Sequence, residues 1–190
     1  MPFVEVFLKY KDSFKSVADA INKSNEFFIQ NYVKSGKDIK PNEIIDFFSI
    51  GSIFSLHHLS KTKESKKDLN GIPIVMVSDI IKKDFGFTIL GVDLVKIPPG
   101  DRTKILESVF DYVEKNFGKG EKVSLTPAVV KSLVKNSIGS NPNYGISSSS
   151  IRNASVVDRK DWEKIPYLTI STLEGSSLNQ IYSDYRAKSK

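Results

Sequence analysis

The 190-residue chain has no cysteine and only two histidines. The missing cysteine excludes disulfides, thiolate metal sites and a cysteine nucleophile, and it suits a reducing compartment. His57 and His58 are the only imidazoles. Neighbouring residues on a helix diverge by about 100°, so the two do not converge on one ion, and no HExxH-like ligand spacing is present. No serine sits in a GxSxG elbow. Gly118-Lys119-Gly120-Glu121-Lys122 has the composition of a phosphate loop without the GxxxxGK[ST] pattern, and a helix stop followed by a turn explains it better. No apolar run approaches the roughly 20 residues of a membrane span. The start, Met1 to Lys9, carries Glu5 within its apolar stretch and lacks the pattern of a signal peptide. These absences set the expectation of a cytoplasmic protein with no catalytic residue, metal, cofactor or membrane partner.

Apolar residues make up 39% of the chain and aromatics 11%, enough for a folded core. The net charge is +6, and its distribution says more than its size. Residues 1–70 hold 11 lysines against nine acids, a near balance. Residues 119–160 hold seven cations, Lys119, Lys122, Lys131, Lys135, Arg152, Arg159 and Lys160, against Glu121 and Asp158 alone. Clustered positive charge attracts polyanions such as nucleic acid, although a solvated lysine face has the same composition.

Along the chain, residues 3–10 are β-prone. Phe14, Val17, Ala18, Ile21, Phe28 and Tyr32 predict an amphipathic helix over 13–34. Pro41 opens a second predicted helix over 41–58, apolar on more than one side through Ile44, Phe47, Phe48, Ile53, Phe54 and Leu56. Residues 61–70 are polar and lysine-rich and read as a linker or exposed loop. Strands are expected at 72–77 and 87–97, with a helical turn in Ser78 to Phe85 between them. Asp101 caps a helix over 102–117, and Thr126 with Pro127 opens another over 127–138. Residues 136–155 have turn composition, with a short helix near 147–153. A last strand at 168–170 and a terminal helix from Ser176 or Ser177 complete the reading. The fold class is α+β, a helical N-terminal part followed by a small β-sheet packed with helices. It divides as 1–60, 61–70 and 71–190, or forms one continuous domain.

The leading functional expectation is a non-catalytic nucleic-acid-binding protein or nucleoprotein subunit. Lys131, Lys135, Arg152, Arg159 and Lys160 would contact phosphates and Tyr144 would stack on a base. A helix–turn–helix made of 127–138 and 147–153 would need a connection longer than that motif uses. A second expectation is a self-assembling structural or adaptor protein, such as a viral coat subunit, joined through Phe28, Tyr32, Phe47, Phe48 and Phe54. A third is a metal-dependent enzyme using dispersed acids.

Overall fold

The computed structural model describes residues 17–33, 37–38, 47–58, 73–97, 99–117, 125–139 and 144–167. The expected first helix appears as α1, Val17–Phe28, continued by a π-helical turn, Ile29–Val33. Lys23 and Asp19, four residues apart, pair at 3.0 Å on its polar side. Phe28 and Tyr32, also four apart, are buried.

Six strands follow: β1 (Lys37–Asp38), β2 (Ile53–His58), β3 (Ile74–Lys82), β4 (Phe87–Asp93), β5 (Tyr144–Ser147) and β6 (Ile151–Val156). They form one antiparallel sheet in the order β1-β6-β2-β3-β4-β5. This order forces the sheet to curl. Ser147 and Ile151 are joined through a single 3-10 turn, Ser148–Ser150, a reach of about 15 Å over four Cα steps. In a flat sheet β5 and β6 would stand roughly 19 Å apart, four strand spacings. The inner face closes around a core of Phe48, Phe54, Leu56, Val75, Val77, Ile89, Ile146, Ile151 and Ala154, drawn from five of the strands. A bulge between Val77 and Asp79 helps to bend β3. Gly91 on β4 has no alternative there, because a Cβ would strike the Val75 side chain and come within 2.7 Å of the Met76 carbonyl oxygen.

The outer face is covered by helices. Ile53, Ile74, Met76 and Val92 pack against Phe28 of α1, Tyr32 of the π-helical turn, α2 (Pro99–Asn116) and α3 (Pro127–Ile138). Ile105, Leu106, Val109 and Val113 supply the buried stripe of α2, and Val130 and Val134 that of α3. The N-terminal cap of α3 matches the sequence reading. Thr126 Oγ1 accepts from the Val129 N–H at 3.3 Å, Pro127 opens the helix, and Gly139 closes it at φ 70°. A 3-10 segment, Arg159–Tyr167, ends the described chain.

The α+β class read from the sequence is therefore the observed one. Five local expectations are corrected. The strand expected over 87–97 ends at Asp93 and gives way to a 3-10 turn, Leu94–Lys96. The helix expected to be capped by Asp101 begins at Pro99, so Asp101 lies within its first turn. Residues 53–58, assigned to the second helix, are strand β2. It lies between β3 and β6 and is buried on both faces, so apolar residues on more than one side mark a central strand here. Ser78 to Lys82 continue β3, with no helical turn. Residues 147–153 are a strand end, a 3-10 corner and the start of β6, which removes the helix–turn–helix. The expectations for 3–10, 41–46, 61–70, 118–122 and 168–190 fall outside the described residues.

Candidate functional site

Two polar clusters lie inside the helical layer. Arg102, on α2, is fully buried. Its guanidinium donates to the carbonyl oxygens of Val95, Ile97, Ile165 and Pro166, at 2.6 to 3.4 Å. It thus clamps the segment after β4 to the closing 3-10 helix. Tyr32 donates its hydroxyl proton to Asp161 Oδ2 and accepts from the Asp158 N–H at 3.2 Å. Lys164 reaches the other Asp161 oxygen at 2.7 Å and lies 4.4 Å from the centre of the Phe27 ring. Burial pushes the Asp161 carboxyl upward, but Lys164 and Tyr32 together outweigh it and hold the group below the ordinary carboxylate range. Burial and the bond to Asp161 push the Tyr32 hydroxyl far upward. Asp93 is also raised by burial, against the pull of Lys96 at 3.2 Å. These partners are internal, so both clusters are read as parts of the scaffold.

The sequence-predicted cations whose side chains are described stand on two elements. Lys131 and Lys135 stand on α3, and Arg159 and Lys160 on the closing 3-10 helix. Three of the four meet an acid: Lys131 with Asp79 at 2.9 Å, Arg159 with Glu114 at 3.6 Å, Lys160 with Asp158 at 3.4 Å. Lys135 is exposed, one turn beyond Lys131. Tyr144 and Arg152 lie on β5 and β6, and their side chains fall outside the described residues. As for the expected interface, Phe28, Tyr32, Phe48 and Phe54 are buried in the chain's own cores, and Phe47 is half-buried against the inner one. The four buried rings therefore offer almost no surface for another chain to cover.

The most exposed aromatic among the described residues is one that the sequence reading passed over. Along β3 the side chains run from five buried, Ile74 to Ser78, through half-buried Asp79 and Ile80, to exposed Ile81 and Lys82. The strand thus outruns its helical cover and ends in a hairpin. Lys82 pairs with Phe87, and the Lys83 N–H donates to the Gly86 carbonyl at 3.0 Å. Gly86 has φ 89°, a conformation that favours glycine. Ser148, at the β5–β6 corner, accepts from the Phe87 N–H at 3.0 Å and fastens the base of the turn. At the tip, Phe85 is 99% exposed. Asp79 ties this end of β3 to α3, accepting from Lys131 through Oδ2 and from the Ile80 N–H through Oδ1. Lys82 and Lys83 have no carboxylate partner among the described residues. The signal that could have found this site is Asp84-Phe85-Gly86 after two lysines, between two β-rich runs.

A cleft of about 170 Å³ opens between Gly51, Ile53, Val113, Val156 and Trp162, with Asp158 and Arg159 at its rim. Among the described residues, no group of three His, Cys, Asp or Glu side chains comes together to hold a metal, and no helix is long and apolar enough to cross a membrane. Comparisons with protein-family models, curated proteins and solved structures return no match to this chain.

Proposed function

We propose that this chain is a non-catalytic nucleic-acid-binding module whose contact surface is the β3–β4 hairpin together with the lysine face of α3. The observation that carries the reading is the hairpin tip, where a fully exposed phenylalanine stands beside two lysines. An exposed phenylalanine gives the fold no burial, and its standing with two exposed lysines at one hairpin tip is what points to a partner. The nearby cations give that partner its sign. Lys82, Lys83 and Lys135 are exposed, and Lys131 bridges helix and strand through Asp79. Arg159 and Lys160 sit on a different element, with acids beside them, and have no part in this surface.

The test is binding of labelled 20-nucleotide DNA and RNA followed by fluorescence anisotropy across a salt series. Three lysines at phosphates give a loss on the order of ten-fold between 50 and 200 mM salt. Lys83→Glu with Lys135→Glu weakens binding further and flattens that salt slope. Absence of salt-dependent binding, or binding that ignores both reversals, overturns the reading.

A further inference from the structure

We infer that the β3–β4 hairpin selects unpaired bases, with Phe85 as a stacking platform and Lys82 and Lys83 holding the phosphates beside it. The inference rests on the reading above and names its substrate class. Its first support is geometric. Lys82 is the last residue of β3 and pairs with Phe87, and Lys83 begins the turn, its N–H donating to the Gly86 carbonyl. Both lysines are exposed beside Phe85, which stands free at the tip. A strand draped over the tip would set a phosphate on each lysine and a base on the ring.

The second support is chemical. A two-stranded ribbon also fits the major groove of a duplex, where sequence is read at the base edges by Arg, Lys, Asn, Gln, acidic and hydroxyl groups. Of these, residues 80–88 hold Lys82, Lys83, Asp84 and Thr88 but no Arg, Asn or Gln. The tip offers an apolar ring face, which stacks on any base but only on one already out of its helix. Asp84, next to Phe85, repels phosphate from the tip itself. It therefore favours the orientation with the base on the ring and the backbone on the lysines. The same carboxylate opposes the rival partner, an anionic membrane, into which Phe85 would have to carry it. Ser148 holds the base of the turn, so the ring is presented by a fixed hairpin.

The experiment compares Phe85→Ala and Phe85→Trp with the unaltered chain on a 20-nucleotide single strand and on the matching duplex. Phe85→Ala weakens single-strand binding on the order of ten-fold and leaves duplex binding unchanged. Phe85→Trp keeps the affinity, and its exposed indole fluorescence is quenched by the single strand. Equal loss on both substrates, or no loss, overturns the stacking role while salt-dependent binding through the lysines stands. No binding of either substrate by the unaltered chain overturns the functional reading and this inference together. A blue shift of the Phe85→Trp emission on phosphatidylserine vesicles, without quenching by the oligonucleotide, overturns it in favour of a membrane surface.

Discussion

Strand β3 begins in one environment and ends in another. Ile74 to Ser78 lie between the helical layer and the inner core, while Ile81 and Lys82 are exposed and lead to the bare ring of Phe85. Local propensity does not separate the two ends, since isoleucines stand in both. What differs is the cover. On the covered side even a guanidinium is buried: Arg102 of α2 donates to four carbonyls of the segment after β4 and the closing 3-10 helix. Past Asp79 the cover stops. A fold that buries an arginine at one end and exposes a phenylalanine at the other has separated its structural duties from its surface ones.

The most severe way to break the covered side is Arg102→Met. The methionine keeps much of the apolar volume but leaves the carbonyls of Val95, Ile97, Ile165 and Pro166 without their donor. Stranding several buried acceptors while removing charge-assisted bonds costs about 3–5 kcal/mol, read from urea unfolding. Arg102→Lys recovers little, because a single ammonium cannot span carbonyls on two separate segments.

A paired test measures the gradient along β3 itself. Met76→Ala removes a fully buried side chain and costs about 2–5 kcal/mol. Ile81→Ala, at a residue 41% exposed, costs less than about 1 kcal/mol in the same urea titration. Comparable losses at the two positions would show that the hairpin end is covered in solution, and would remove the basis for an exposed tip.

The contrast between these regions also explains what was legible in the sequence. The helices α2 and α3 were readable because their signals are local: apolar residues at helical spacing in both, and Thr126 with Pro127 at the start of α3. Strand β2 was misread because burial on both faces erases the period-two pattern and leaves an unbroken apolar stretch. Ile80-Ile81-Lys82-Lys83 was misread for a related reason. Two apolar residues before two lysines suit a helical turn as well as a strand end, and only the pairing with β4 decides it. Arg102 gave no signal at all. An arginine near a helix start reads as solvated, and two of its carbonyl partners lie 63 and 64 residues away. The basic segment was visible as composition, but composition does not show that Lys131, Arg159 and Lys160 would each meet an acid.

The finest test uses acid, since among the described residues the titrating groups with shifted affinities sit on the covered side. Asp161 and Asp93 act in different windows. The Asp161 carboxyl is held below its ordinary value, so it contributes stability that is present above about pH 4 and lost as the pH falls through its lower folded value. The Asp93 carboxyl is raised, so the folded state takes up its proton first. Stability from that group rises as the pH falls from its folded value toward about 4. The unaltered chain should therefore keep or slightly gain thermal stability on approach to pH 4 and lose it below. Asp161→Asn lowers the unfolding midpoint at pH 7, because Lys164 loses the nearer of its two carboxylates, and it flattens the limb below pH 4. Asp93→Asn removes only the rise above pH 4, since an amide oxygen can still accept from the Val95 N–H, now bonded at 3.2 Å. Phe85→Ala leaves both limbs unchanged, having no titrating partner and no buried surface to lose. Circular-dichroism melts from pH 7 to about 2.5 separate the four curves. A Phe85 variant that moved the acid limb would tie the tip to the buried network and end the division between the two regions.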